Sequence, residues 1–498
     1  MKNILRYTLA ICTAGLLPVA CTSNFDEYNT NQNQMEMGDV HPLNLLEHIL
    51  FTGADGMVYR TWLLNNELIQ YTVQMYTENV HRYMIRDSYN SGTWNHLARW
   101  AANSDHMIEQ AVKNGDANSE AIALTMRALF VSNWTDIYGD IPFSEAFQGR
   151  NNVLKPKFDT QKEVYTQLFA DLERANSLYD PSRALRYPNK DLMYKGDIAK
   201  WRKFTNSLHM RLLMRLQNRD EEMGVSEKLR EIVSNPARYP VMASNADNAA
   251  LFYTNVDPFI GHFGTTTLQS FTSNSHRMAE HLVNLMNNTN DPRLGIYAVQ
   301  QNNEWTGLVS GYPTTETNAT NCAYLNKDVL GDYTSPYTFM RYDEVLFILS
   351  EAAFRGMIPG GSAAAQQYYE QAVLASIDYW DEINPSASLK LWIPDISESA
   401  VETFLQNGAV AYDATTEIII TQKYVSLFTV GYESWHEYRR TGYPNFKIGK
   451  GTANDGVLPT RFIYPVTTVD TNHENYLKAI ANQGPDNMKT RLWWARKQ

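Results

Sequence analysis

The sequence predicts a mainly α fold in which a scaffold of helix pairs carries a separate, loop-rich lobe. Residues 158–179 and 194–216 space their apolar side chains three and four apart, which is the pattern of amphipathic helices. Their apolar faces consist of Val164, Leu168, Leu172 and Ala175, and of Trp201, Phe204, Leu208 and Leu212. Residues 236–340 lose this periodicity and are rich in Gly, Asn, Thr and Pro, which indicates loops.

The first 20 residues have the pattern of an export signal. Two basic residues accompany a mostly apolar stretch from Leu5 to Ala20, and this small residue precedes Cys21. A Cys at this place resembles a bacterial lipobox, in which the thiol is lipidated and becomes the new N-terminus, although Pro18 stands where lipoboxes usually carry Leu. The alternative is a cleaved secretory signal with an incidental Cys.

Residues 21–42 are polar and Asn-rich, which predicts a tether between a membrane anchor and the folded domain of residues 43–498. Helices are expected over most of residues 43–82, and residues 81–94 are expected to be irregular. A helix over about 94–114 should end at Asn114 and Gly115, and an Ala-rich helix should follow over 118–138.

Some predicted helix pairs have small residues at the point where the two helices must pack closely. Such pairs resemble tetratricopeptide units, which are helix–turn–helix pairs. The pairs at 158–216, 341–380 and 415–444 show this pattern. We therefore expect scaffold helices at about 43–235 and 341–445, stacked on one another, with the variable lobe at about 236–340. The tail, residues 446–498, is expected to be loop-rich, with Trp493 and Trp494 as core anchors.

Charge and cysteine content limit the partners and the chemistry. The chain carries 43 basic and 54 acidic residues, and removal of the signal leaves 41 basic residues against the same 54. A nucleic-acid partner is excluded because it requires a basic face, and anchoring through a polybasic patch is excluded for the same reason. After removal of the signal, Cys21 and Cys322 remain, so with Cys21 lipidated no intrachain disulfide is expected.

The sequence matches none of the common motifs of catalysis or metal binding. The sequence has no phosphate loop, no G-x-S-x-G elbow and no His-Glu-x-x-His pattern. His276 and His281 flank Glu280, but a spacing of five is poor for ligation from one helix face. We therefore expect no catalytic residue, no metal and no cofactor. A glycosidase remains the enzymatic alternative, because its carboxylate pair has no sequence motif.

Two stretches combine aromatic rings with amides in segments expected to be irregular. An aromatic ring can cover the apolar C–H face of a sugar while amides bond its hydroxyls. The candidate ligand-binding residues are Tyr76, His81, Tyr83 and Trp94 in the first stretch, and Trp305, Tyr312 and Asn303 in the second. The alternative for each ring is packing beneath its own loop. Trp305 is the sharper case because its neighbours in sequence are polar or Gly.

Several motifs, taken in order, resemble the SusD/RagB family and within it the SusD-like branch. They are the lipobox, NFDEYNTNQNQ, DIYGDIPFSEAF, YKGDIAKWRKFTNSLHMRL, QKYVSLFTVGYESWHEYRRTGYP and LPTRFIYPV with the final Trp pair. The resemblance covers nearly all of the chain after the signal. These are scaffold motifs, so the resemblance assigns no ligand residue.

The resemblance implies a lipid-anchored outer-membrane protein that faces the cell exterior. It implies an α-helical fold with four tetratricopeptide-like pairs and a more variable ligand-binding half. It also implies a non-catalytic role: capture of oligosaccharides and delivery to a SusC-like TonB-dependent transporter. The alternatives are a peptide-binding protein of the same fold, a surface glycoside hydrolase and a tetratricopeptide adaptor.

Overall fold

Paired helices form most of the structure, a computed structural model that describes residues 41–75, 80–254, 256–265, 276–313, 319–383 and 396–497. The export signal, Cys21 and nearly all of the tether lie outside the described residues. The helices of the unit Pro42–Gln498 are α1 Pro42–Arg60, α2 Asp87–Asn114, α3 Ala117–Tyr138, α4 Gln161–Leu178, α5 Ile198–Arg215, α6 Val225–Ser234, α7 Glu280–Thr289, α8 Tyr342–Phe354, α9 Gly361–Ile383, α10 Glu398–Leu405, α11 Thr416–Ser426, α12 Glu433–Thr441, α13 Val466–Thr471 and α14 His473–Gln483. The mainly α fold with tetratricopeptide-like pairs is thus confirmed.

Local sequence signals set the helix ends. Gly115 adopts a left-handed conformation with φ of 65° after α2, and Asp116 then caps α3 by accepting from the Ser119 N–H. Thr160 and Glu163 form a reciprocal capping box at the start of α4. Two residues therefore suffice to reverse the chain between α2 and α3.

Short strands connect parts of the chain that are far apart in sequence. In the part of the chain that the structure describes they form three antiparallel pairs: β1 Thr72–Gln74 with β3 His276–Met278, β2 Ala249–Leu251 with β6 Tyr337–Met340, and β4 Ala298–Val299 with β5 Tyr324–Leu325. In the second pair Leu251 lies opposite Tyr337. One-turn helices lie at Asp220–Met223, His262–Thr265, Leu294–Tyr297 and Lys327–Leu330.

A π-helical turn, Thr61–Asn65, extends α1 and leads into a final helical turn, Asn66–Leu68. The expected helix over residues 43–82 therefore ends early, and β1 follows it. Local periodicity could not show this, because the partner strand of β1 lies about two hundred residues later. Single π-turns inside helices occur frequently at functional sites.

Helix α2 begins at Asp87, so the expectation of irregular chain over residues 81–94 is wrong for its second half. Asn, Ser and Gly weaken a helix only modestly, and packing can override them. In the tail, α13 and α14 replace the loops that were expected. The Gln483 side chain accepts from the Asp140 N–H at 3.0 Å, which docks α14 on the scaffold.

A buried cluster of ion pairs joins the helices of the scaffold. Arg215 on α5 pairs with Asp136 on α3 at 2.6 Å and with Glu433 on α12 at 2.5 Å. Arg440 on α12 pairs with Glu351 on α8 at 2.5 Å. Burial alone would lower the pKa of Arg215, but the two carboxylates outweigh it and raise that pKa. A buried charge that loses its partner is strongly destabilising. The cluster therefore holds α3, α5, α8 and α12 in the orientations that keep these pairs together.

Candidate functional site

His81 and Tyr312, expected on separate stretches, are in contact. Their rings stack with centroids 4.8 Å apart. The Gly311 N–H donates to His81 Nδ1 at 3.1 Å, and the Tyr312 hydroxyl donates to the Gln74 carbonyl at 3.0 Å. Both rings are buried, so each covers the other, and burial raises the pKa of Tyr312 to about 12. The two stretches do meet, but these rings show no open stacking face.

Tyr83 and Trp94 are also core residues, which corrects the expectation that they lie on exposed, irregular chain. Trp94 lies within α2 and packs edge-on against Trp134 and Tyr138, each at 4.9 Å. Tyr83 is buried in a tight turn with φ of 62°. Their rings pack beneath neighbouring elements because the scaffold folds over them.

The turn before Trp305 is the part of the second stretch that remains accessible. Asn302 and Asn303 have φ of 52° and 62° and form a two-residue hairpin turn, which Asn tolerates better than most residues. The Glu304 N–H donates across the turn to the Gln301 carbonyl at 2.9 Å. Asn303 is exposed and Trp305 is half-buried. Ligand binding at Trp305 and Asn303 stays a prediction.

Two candidates lie outside the described residues, namely Tyr76 and the lipidation candidate Cys21. Within the described ranges, no group of three or more His, Cys, Asp or Glu side chains is arranged to hold a metal ion. No helix in the same ranges is long and apolar enough to cross a membrane.

An aromatic cavity that sequence reasoning missed lies between α1, α9 and the β2–β6 pair. We call it the Tyr253 cavity; it has a smaller chamber of about 60 Å³ and a larger one of about 420 Å³. The smaller chamber has room for several waters, at about 10–15 Å³ each. Tyr253, Asp332, Ser335, Pro336, Tyr379 and Ile383 line both chambers. The aromatic lining of the smaller chamber also includes Trp62, Phe263, Tyr337, Trp380 and Phe428.

Strand pairing and a close backbone contact place the cavity wall. Tyr253 follows β2, and Tyr337 begins β6, the partner strand of β2. The Gly261 N–H donates to the Tyr333 carbonyl at 2.8 Å. A side chain at Gly261 would bring its Cβ to 3.2 Å from that carbonyl, so glycine permits the approach. The segment of Phe263 is thereby held against the loop that carries Asp332.

The other side of the wall comes from the last turns of α9. The Tyr379 hydroxyl is within 3.0 Å of the Thr338 hydroxyl on β6. Behind Tyr379 the buried Arg341 guanidinium lies 4.6 Å from its ring centroid and pairs with Asp343 at 3.2 Å. The ring of Trp380 packs against Tyr297 at 4.6 Å. These contacts fix the rings before any ligand arrives.

Two hydrogen-bond donors in this wall have no acceptor among the described residues. They are the Tyr253 hydroxyl and the Trp380 indole N–H, in side chains that are 6% and 1% exposed. Burial raises the pKa of Tyr253, so its hydroxyl remains a neutral donor. A buried polar group without a partner costs about 1–3 kcal/mol, and a ligand acceptor would remove that cost.

Acidic side chains line the more open part of the cavity. Asp332 borders both chambers and Glu382 borders the larger one. The Asp332 Oδ1 atom accepts from the backbone N–H and the hydroxyl of Thr334, at 2.7 and 2.6 Å, which holds this carboxylate in place. The cavity can therefore accept bonds from ligand hydroxyls at its carboxylates, and the two donors without acceptors belong to residues of its wall.

The signal for this cavity was weak in the sequence. Tyr253 follows a strand of only three residues. Trp380 lies on a helix, where the pattern predicts that an aromatic residue packs in the core. Their proximity depends on β2 pairing with β6 across nearly ninety residues. Single-sequence periodicity contains no information about such a pairing.

Comparison with known proteins gives a family match over most of the chain. Residues 32–465 match the SusD-like family described as "Starch-binding associating with outer membrane". No curated protein sequence matches significantly.

Among solved structures, a SusD homologue from Bacteroides fragilis is 25% identical with a TM-score of 0.77, covering 92% of this chain and 100% of its own. A chitin-binding protein is 24% identical with a TM-score of 0.79, covering 91% and 99%. A chitin-binding SusD homologue from Flavobacterium johnsoniae is 22% identical with a TM-score of 0.74, covering 91% and 98%. The last two, below 25% identity, show a shared fold.

Proposed function

Because the chain belongs to the SusD-like family of starch-binding proteins that associate with the outer membrane, we propose that it captures oligosaccharides at the cell surface. In this proposal Cys21 carries the lipid anchor and the protein faces the cell exterior. The captured oligosaccharide passes to a SusC-like TonB-dependent transporter, and the protein does not alter it chemically. The family match supports the outer-membrane setting; the anchor, the transporter and the absence of catalysis are parts of the proposal.

The Tyr253 cavity is the observation that carries the sugar-binding proposal. A sugar presents an apolar C–H face and a rim of hydroxyls, and this cavity presents aromatic rings beside hydrogen-bonding groups. The Tyr253 hydroxyl and Trp380 N–H need acceptors, which sugar oxygens supply. The Asp332 carboxylate can accept from sugar hydroxyls in turn. The rings are held by packing, and a local shift of the wall would bring the buried Tyr253 hydroxyl and Trp380 N–H into reach of a sugar oxygen.

The chitin-binding neighbours make chito-oligosaccharides a sensible first probe, and the family description adds malto-oligosaccharides. Calorimetric titration of the purified mature chain with chitohexaose, maltohexaose and cellohexaose should give saturable binding of at least one of them. The same mixtures should contain no new reducing ends after prolonged incubation. Release of reducing ends would contradict the non-catalytic proposal, and failure of every oligosaccharide would contradict sugar capture.

Delivery to a transporter is tested separately. A tagged form of the full chain, extracted from its own outer membrane in mild detergent, should copurify with a large TonB-dependent barrel. Extraction of the protein alone, under conditions that keep other outer-membrane complexes intact, would contradict the partnership.

The turn with Trp305 and Asn303 provides a second surface for the same function. Asn303 is exposed and Trp305 is half-buried, so a ligand could reach both. Trp305→Ala distinguishes the two surfaces: loss of sugar binding with the fold intact would place the ligand at this turn. A peptide ligand, the other alternative, would compete with the sugar or replace it in the calorimeter.

A further inference from the structure

Among the described residues, every Lys, Arg, Asp or Glu side chain that lines the Tyr253 cavity is acidic. Asp332 borders both chambers and Glu382 borders the larger one, whereas no Lys or Arg side chain of the described residues lines either chamber. His262 also lines the smaller chamber, where its Nδ1 atom lies 2.7 Å from the Asp55 carboxylate. The buried Arg341 lies behind the Tyr379 ring and is paired with Asp343. A ligand carboxylate or sulfate in this cavity therefore has no Lys or Arg partner among the described residues.

The two hydrogen-bond donors without acceptors indicate that the cavity binds a ligand and is more than an acidic surface. Tyr253 and Trp380 lie more than nine-tenths buried in the wall, and each lacks an acceptor within the described ranges. Both are neutral donors, because burial raises the pKa of Tyr253 and an indole N–H does not titrate. A hydroxyl, ring oxygen or amide carbonyl satisfies them without bringing a negative charge near Asp332.

A ligand hydroxyl fits both halves of this wall. It accepts from the Tyr253 hydroxyl or the Trp380 N–H, and it donates to Asp332 or Glu382. A ligand carboxylate satisfies the donors but cannot donate to the wall carboxylates, and it is repelled by them. The low-dielectric aromatic lining strengthens this repulsion, since ring atoms screen charge poorly compared with water.

We propose that the Tyr253 cavity selects uncharged oligosaccharides and rejects those that carry uronate or sulfate groups. This inference rests on the proposed function and narrows the class of sugar. At 4–6 Å from Asp332, a ligand carboxylate should bind about tenfold more weakly than the hydroxymethyl group that it replaces. Part of this difference should disappear at high salt, because the larger chamber is open to solvent.

An array of immobilised glycans tests the inference. It should carry neutral chito-, malto-, cello- and xylo-oligosaccharides beside oligogalacturonates and sulfated chondroitin oligosaccharides. We expect the purified mature chain to bind neutral glycans, and Tyr253→Phe to weaken that binding. A uronate or sulfated glycan that binds equally well through Tyr253 would overturn the selectivity while leaving sugar capture intact. Binding unaffected by Tyr253→Phe would place the ligand elsewhere and overturn it too, and an array with no bound glycan would refute the proposed function itself.

Two variants that each remove one negative charge test whether Asp332 causes the discrimination against charged sugars. The best-binding neutral hexaose that has a C6 hydroxymethyl group is compared with the same hexaose oxidised there to the carboxylate. The measured quantity is the affinity for the neutral hexaose divided by the affinity for the oxidised one. Asp332→Asn, which keeps the Oδ1 acceptor for Thr334, should lower this ratio at least about threefold. Glu370→Gln removes one charge from the same helix as Glu382, on an exposed turn outside the cavity, and should leave the ratio unchanged. Equal effects of the two variants would show that overall charge, rather than the cavity wall, sets the preference.

Discussion

Tyr253 and Trp380 line the same chamber, and the hydroxyl of one and the indole N–H of the other lack an acceptor among the described residues. Other polar side chains of the wall are hydrogen-bonded. The Tyr379 hydroxyl bonds with the Thr338 hydroxyl, and the Asp332 carboxylate accepts from the Thr334 N–H. Buried polar groups in folded proteins are usually paired, so exceptions within one cavity call for a functional reason. Ligand binding supplies that reason, and each donor can be removed without disturbing a known bond.

The buried ion cluster predicts a large, local dependence of stability on Arg215. Arg215→Ala leaves Asp136 buried without its cation and Glu433 with only the more distant Arg211, at 3.6 Å, which should lower the free energy of unfolding by about 3–5 kcal/mol. Chemical denaturation followed by circular dichroism measures this change. Lys162→Ala, which breaks an exposed pair with Glu222, should cost less than about 1 kcal/mol. Similar losses from both variants would show that the cluster contributes no more than a surface pair.

Glu67 predicts a distinct dependence of stability on pH. It is fully buried, and burial raises its pKa to about 8, although Thr72 and the Gln74 N–H donate to its carboxylate. The pKa of Glu67 in the unfolded chain is near the ordinary value of 4.5. At pH values between 4.5 and about 8, the folded state therefore holds a proton on Glu67 that the unfolded state has lost. Stability should therefore fall as pH rises through this window, by about 1.4 kcal/mol per pH unit from this group.

Glu67→Gln is the direct test, because the amide imitates the protonated carboxyl. Unfolding free energies of the variant and the wild type should converge near pH 5 and diverge at pH 7.5, where the variant is the more stable. Parallel pH profiles for the two proteins would contradict a raised pKa at Glu67.

The proposed lipid anchor makes a prediction about Cys21. Cys21→Ser removes the thiol that would be lipidated, so the protein should appear in the soluble fraction instead of the outer membrane. Fractionation and immunoblotting of cells that express each form measure this. Cys322→Ser is the matched control, since Cys322 is buried in the folded domain and should not alter membrane retention. Unchanged retention of the Cys21 variant would rule out the anchor at this residue.

Local signals predicted the helices and their ends, but contacts between distant segments determined the site. Gly115 acts over a few residues, so the sequence alone predicts the helix end at this position. Trp94 was misplaced because its role depends on Trp134 and Tyr138 in the next helix.

The candidate site shows the same limit. The chemistry of His81 and Tyr312 makes them candidates in the sequence, but their stacking on each other depends on a contact across 230 residues. The sequence does not indicate Tyr253 or Trp380, because neither stands in an aromatic, amide-rich stretch like that of Trp305. A hydroxyl without a partner is visible only after the neighbouring elements are packed around it.

Calorimetric titration of Tyr253→Phe with the best-binding neutral hexaose tests the central claim most directly. The variant removes one hydroxyl that has no described partner, so its stability should equal or exceed that of the wild type while its affinity falls about five- to tenfold. Tyr369→Phe, whose hydroxyl bonds the Val410 carbonyl at 2.5 Å, should instead lose about 1 kcal/mol of stability and keep its affinity. Unchanged affinity of Tyr253→Phe, together with lost binding in Trp305→Ala, would contradict the account and place the ligand at the hairpin turn.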